Sequence, residues 1–210
     1  MSNDNKSYIS AAARAKAVSV EGKTLYTLIV FSEHVAGILN QVTAVFTRRQ
    51  VNIESINASP SSIEGVHKYT ITCYSDEEEI KIITAQIERK VDVLKANYYT
   101  DNEIFMQETA LLKMRTDKVL ADPEISRTVR HHGAMFMDVN KTYMTVTKTG
   151  RTEDLLAMYY DLAVTGAVLQ WVRSGRIAVT RSHTEYLDEF LLQREQAKKE
   201  GMRNEGKMPL

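Results

Sequence analysis

The hydrophobic pattern predicts an α+β fold in which the order β-α-β-β-α-β occurs twice in tandem. Three observations predict it. Strand-length apolar or alternating runs are interleaved with stretches of helical periodicity between 23 and 100. A similar but less regular order returns between 101 and 183. An apolar share of 43% and a charged share of 26% then place the chain among ordinary globular proteins, with 210 residues for two small units.

In the first unit, Leu25–Phe31 (LYTLIVF) is a continuous apolar run of strand formers, as in a buried strand. Ile38, Leu39, Val42, Val45 and Phe46 then recur on one helix face. Val51–Ala58 reads as a strand, stopped by Pro60-Ser61-Ser62. From Val66 to Tyr74 the residues alternate, with His67, Tyr69, Ile71 and Cys73 on one side. Ser75 and Glu78 have capping-box spacing, and the acidic run Asp76–Glu79 suits the positive end of a helix dipole. Ile80, Ile83 and Ile87 mark that helix's buried face, and Val91–Tyr99 reads as a fourth strand. This order is the split βαβ, or ferredoxin-like, unit.

The second unit reads as a strand over Ile104–Met114 with a polar interruption, a helix over Asp117–His132 ended by Gly133, and strands over Ala134–Val139 and Thr142–Lys148. A helix over Thr152–Ala163 follows. A long last strand spans Ala167–Val179, with a bulge expected at Ser174-Gly175. Segment 1–22 reads as a flexible extension. Segment 184–210 reads as a charged, partly helical tail whose Tyr186, Phe190 and Leu191 are candidates for docking on a neighbour.

Composition excludes several function classes. With 27 basic against 27 acidic residues there is no excess positive charge for a general nucleic-acid binder, and the strands lack an RNA-binding aromatic pattern. No apolar run approaches the roughly 20 residues that span a bilayer. The single cysteine, Cys73, permits no internal disulfide. A reducing compartment fits, a disulfide-free secreted protein would look the same, and a cytoplasmic setting is the expectation taken. Phosphate-binding, metalloprotease, CxxC and nucleophile-elbow motifs are missing, so neither a catalytic nor a metal site is expected. Neighbours on a helix point about 100° apart, so His131-His132 is a poor chelate. Cys73 reads as a buried structural thiol.

One place carries a physical signal. The first strand runs into Ser32-Glu33-His34-Val35-Ala36-Gly37, where a helix is expected to begin. A helix N-terminus offers unpaired N–H groups and partial positive charge, and Gly37 lets a ligand approach the backbone. A carboxylate fits the N–H groups of Val35–Ile38. Asn52, with donor and acceptor on one side chain, fits the other end of an amino acid's main chain. The pattern alone leaves open that Gly37 only tightens a turn and Asn52 only starts a strand.

The same residues resemble a family. Gly37-Ile38-Leu39, Phe46-Thr47-Arg48-Arg49 and Asn52-Ile53-Glu54-Ser55 look like the start of the ACT domain in the small regulatory subunit of acetolactate synthase. Lys90-Val91-Asp92-Val93-Leu94 and Glu108-Thr109-Ala110-Leu111-Leu112-Lys113 resemble two further segments of that family. So does Val172-Arg173-Ser174-Gly175-Arg176-Ile177-Ala178-Val179-Thr180-Arg181. The resemblance covers about 23 to 182. It implies two ferredoxin-like units, an ACT domain over 23–100 and a C-terminal one over 101–183.

By the same resemblance the chain forms a homodimer through its ACT domains. A branched-chain amino acid, valine above all, binds at the dimer interface. Carried over by position, the effector site is His34, Val35, Ala36, Gly37, Ile38, Asn52 and Ile53. The partner is the catalytic large subunit, which carries thiamine diphosphate, Mg²⁺ and FAD, while this chain binds no cofactor. Relatives often have Asn where this chain has His34, so ligand preference or pH response is expected to differ there. A free-standing amino-acid sensor that controls another protein is the alternative from a different class.

Overall fold

The structure is a computed structural model of the chain and describes residues 22–182 together with Leu191. Most of the expected extension 1–22 and of the tail 184–210, including Tyr186 and Phe190, lies outside the described residues.

The first unit contains β1 (Thr24–Glu33), α1 (Ile38–Arg48), β2 (Ser55–Pro60), β3 (Val66–Ser75), α2 (Glu77–Glu88) and β4 (Val93–Tyr99). Its antiparallel sheet has the order β2-β3-β1-β4, which leaves β2 and β4 as edges. Helix α1 forms where the apolar spacing demands it: Ile38, Val42, Val45 and Phe46 are its buried residues. It ends at Arg49, followed by Gln50 in the left-handed region at φ 55°. Helix α2 buries Ile80, Ile83 and Ile87 on the same core, with Leu28, Val30 and Ile71 opposite. Each of these side chains contributes about 1.5–3 kcal/mol by leaving water.

The second unit contains β5 (Ile104–Arg115), α3 (Thr116–Ala121), α4 (Pro123–His131), β6 (Met135–Val139), β7 (Tyr143–Gly150), α5 (Thr152–Ala163), β8 (Val168–Arg173) and β9 (Ile177–Thr180). The sheet order β6-β7-β5-β8 repeats that of the first unit, and β9 adds a further pair with β5. Leu112, Met114, Val146, Leu155, Met158 and Leu162 lie in its core.

Strand β5 joins the units. One face of it is buried along its whole length. Ile104 and Met106 pack with Ile29, Phe31 and Val66 on the outer face of the first sheet. Ala110, Leu112 and Met114 pack in the second unit's own core. Leu191, from the expected tail, packs beside the first of these clusters.

Four sequence expectations are corrected. The strand expected over Val51–Ala58 begins only at Ser55. The Val51 N–H folds back to the Phe46 carbonyl at 3.1 Å, so the ladder with β3 starts at the pair Ser55–Thr72. Thus Asn52 stands in a loop and not at a strand start. The cap of α2 is Asp76, whose carboxylate accepts from the Glu79 N–H at 2.8 Å, because Ser75 is still paired with Thr24 in the sheet. The helix expected over Asp117–His132 is two helices. Asp122 precedes a proline, takes an extended conformation (φ −124°, ψ 102°) and caps α4 instead. The long last strand is split at Ser174–Arg176. There the Thr109 N–H donates to the Ser174 hydroxyl at 3.0 Å instead of to a strand carbonyl, and Gly175 turns at φ 76°.

Candidate functional site

Residues His34–Gly37 form the loop between β1 and α1. Three hydrogen bonds anchor it: Glu33 N–H to the Asp92 carbonyl, His34 N–H to the Gly65 carbonyl, both at 2.9 Å, and Val35 N–H to the Glu33 carbonyl at 3.0 Å. The His34 ring stacks on His67 of β3, with centroids 3.9 Å apart and planes at 16°. Gly37 is the N-cap of α1 at φ 88°, a left-handed conformation that glycine adopts without penalty. A Cβ there would meet nothing within 4 Å, so the backbone faces open space. No side chain caps α1, and its first-turn N–H groups at Leu39 and Asn40 are left for solvent or a ligand. The Val35 N–H is already used, and the Ile38 side chain is in the core. An anion here would therefore be held by backbone, not by Ile38's side chain.

Asn52 is exposed and Ile53 packs on the rim of the first core. The structure does not bring them to the His34–Gly37 loop within one chain. Ser55 is level with Thr72 and Thr27, whereas Glu33 lies six residues further along β1. At roughly 3.3 Å per residue the two parts sit about 20 Å apart, at opposite ends of the sheet. Edge strand β2, SINASP, carries no charge, and among the described residues only β3 pairs with it. Such an edge is open to pairing with another strand.

A second constellation lies where the units meet. On the buried face of β5 one position is not apolar: Glu108, 4% exposed. Its carboxylate accepts from Arg173 Nη1 at 2.8 Å and from the Thr152 hydroxyl at 2.7 Å, with Arg176 Nε at 3.7 Å. Arg176, 3% exposed, also donates to Asp101 at 2.8 Å. The network borders a cavity of about 420 Å³ whose other wall is Leu25, Glu54, Ser55, Thr72 and Tyr74 of the first sheet. The motif segments had singled out Glu108, Arg173 and Arg176 without a role. A lone glutamate on an otherwise apolar strand face was the signal available for this network.

Elsewhere the chemistry is structural. The Cys73 thiol is buried and pushed up to about 12 by burial first and the Glu54 carboxylate second. The His131 and His132 rings meet edge to face at 78°, and His132 Nε2 lies 2.9 Å from Asp161 of α5. Among the described residues no group of three or more potential ligands is placed to hold a metal ion. No helix among them is long and apolar enough to cross a membrane.

A βαββαβ unit with an uncapped glycine loop and an open sheet edge has the architecture of an ACT domain. Comparison narrows the class. Residues 28–95 match the model of the acetohydroxyacid synthase small-subunit-like ACT domain, and residues 107–182 match that of the small subunit of acetolactate synthase. The acetolactate synthase small subunit of Bacillus subtilis is 29% identical over 160 residues, which is 76% of this chain and 91% of the relative. That of Haemophilus influenzae is also 29% identical, over 76% of this chain and 98% of its own. The crystal structure of the acetolactate synthase small subunit from Thermotoga maritima shares the fold, with a TM-score of 0.68 and 24% identity over 76% of this chain and 99% of that one. The chain belongs to the small, non-catalytic regulatory subunits of acetolactate synthase, which act in the regulation of branched-chain amino acid biosynthesis.

Proposed function

We propose that this chain activates an acetolactate synthase catalytic subunit and confers on it feedback inhibition by a branched-chain amino acid, valine foremost. The observation that carries the effector site is the separation of its parts. The Gly37 loop and Asn52 lie at opposite ends of one sheet, and β2 is an uncharged open edge. Antiparallel pairing of two β2 edges about a two-fold axis reverses one sheet against the other. The His34–Gly37 loop of one copy then comes to the same end as Asn52 and Ile53 of the second. The ligand carboxylate is held by backbone N–H groups around Ala36, Gly37, Leu39 and Asn40, and Asn52 of the second copy meets its ammonium. The stacked pair His34–His67 borders this loop, where an imidazolium would attract the carboxylate.

Valine binds the inhibited state of the holoenzyme more tightly than the active one, and a coupling of about 1–3 kcal/mol is enough. Thiamine diphosphate, Mg²⁺ and FAD belong to the catalytic subunit. The test is reconstitution with that subunit and an activity assay with and without valine. Gly37→Asp places a negative charge where the ligand carboxylate sits. It is expected to raise the inhibitory valine concentration about tenfold or more, at 1.4 kcal/mol per decade, while activation persists. Gly37→Ala strains the same backbone without charge and separates the two effects. Unchanged valine inhibition in Gly37→Asp sinks the site.

A further inference from the structure

We infer that the cleft between the two units is a second small-molecule site, for an aliphatic α-amino acid, distinct from the β1–α1 loop. Its polar groups fall into two sets. Glu108 and Arg176 are already neutralised, the one by Arg173 and Arg176, the other by Glu108 and Asp101. Glu108 and Asp101 balance Arg173 and Arg176, so among the described lining residues the Glu54 carboxylate is the charge left uncompensated, and the facing wall offers spare N–H donors of Arg173. The Glu54 side chain, on the first unit, has no partner among the described residues, its backbone N–H alone being engaged, with the Thr72 carbonyl at 2.8 Å. Arg173, on the second unit, uses Nη1 on Glu108 and keeps Nε and Nη2 unengaged among the described residues.

A free carboxylate facing a partly free guanidinium matches a zwitterion: ammonium toward Glu54, carboxylate toward Arg173. A simple anion would face Glu54 and Glu108 as well and is disfavoured. The apolar side chains of the lining, Leu25, Leu156 and Trp171, receive the ligand's side chain. About 420 Å³ accommodates a small amino acid with water to spare. The units already touch at the rim, where a Cβ on Gly175 would come within 3.1 Å of Ser55 Cβ. A ligand bridging the walls therefore holds one unit against the other.

Trp171 is the single tryptophan of the chain, lines the cleft and stacks on Tyr159 at 4.9 Å, so its fluorescence reports on this site. The experiment titrates the full-length chain, without catalytic subunit, with valine, leucine, isoleucine and methionine. A saturable change in tryptophan emission is expected for at least one of them. It should persist in Gly37→Asp and weaken about tenfold or more in Glu54→Gln, which loses a charge-assisted contact without breaking a pair. Isobutylamine and isovalerate, each lacking one charge of valine, should bind at least as poorly as valine binds that variant. The proposal is overturned by no saturable change up to about 10 mM, ten times a millimolar Kd. A response that survives Glu54→Gln, or one that vanishes in Gly37→Asp, overturns it as well. Intact valine inhibition in Gly37→Asp together with a cleft response lost in Glu54→Gln would sink the loop site and leave this one standing.

Discussion

In the first unit the central strand β1 is buried without interruption from Tyr26 to Ser32, whereas its counterpart β5 buries only alternate residues. The two strands hold the same place in the same topology, between the strands that precede and follow it in the sheet order. Their surroundings differ. One face of β1 meets α1 and α2, and the other is covered by Ile104, Met106 and Ala178 of the second unit. The outer face of the second sheet has no such cover among the described residues. Met135, Leu111 and Val172 lie level across it with Thr147, and Leu111 and Val172 are each 45% exposed. A strand's pattern thus reports how many of its faces are covered, and a continuous apolar strand in an antiparallel sheet demands a second layer.

The largest expected effect strikes the junction. Glu108→Ala leaves Arg173 and the buried Arg176 without their shared carboxylate, and a loss of about 3–5 kcal/mol in chemical denaturation is expected. A loss under about 1 kcal/mol would mean that the network is solvated and does not hold the units. Next comes Leu28→Ala in β1, fully buried, with an expected cost of about 2–5 kcal/mol.

Cys73 sharpens the comparison through pH. An acid whose folded pKa is raised keeps its proton where the unfolded thiol, near 8.5, has lost it. The Cys73 contribution is therefore intact below about pH 8 and declines as pH rises from about 8.5 toward 12. Cys73→Ala should flatten that alkaline decline in denaturation midpoints, and native protein should react with thiol reagents only on unfolding. The smallest effect belongs to the open face: Leu111→Thr should shift stability by no more than about 0.5 kcal/mol. A larger loss in the isolated chain would show that this face is covered.

Much of the fold was legible because its signals are local. The face of α1 was read from Val42, Val45 and Phe46, and helix α5 was placed at Thr152–Ala163 from Leu155, Leu156, Tyr159 and Leu162. Gly37 was legible as a backbone position of special geometry, and φ 88° accounts for it. The boundaries that moved did so for nonlocal reasons. Asn52 left the strand because the ladder partner Thr72 sets where pairing begins, and the last strand broke where Ser174 replaced a ladder contact.

By itself the sequence determined the element order, the helix faces and the residue types available at the β1–α1 loop, since these follow from periodicity, capping and backbone freedom within a few residues. Only the tertiary structure decided that Gly37 and Asn52 lie at opposite ends of a sheet, and that Glu108 is buried between two arginines. It also decided that β5 serves two cores. Those facts depend on which strands pair and which faces meet across more than 60 residues of chain, as in the contact of Glu108 with Arg173. Burial and pairing are properties of the packed whole, and no local pattern encodes them.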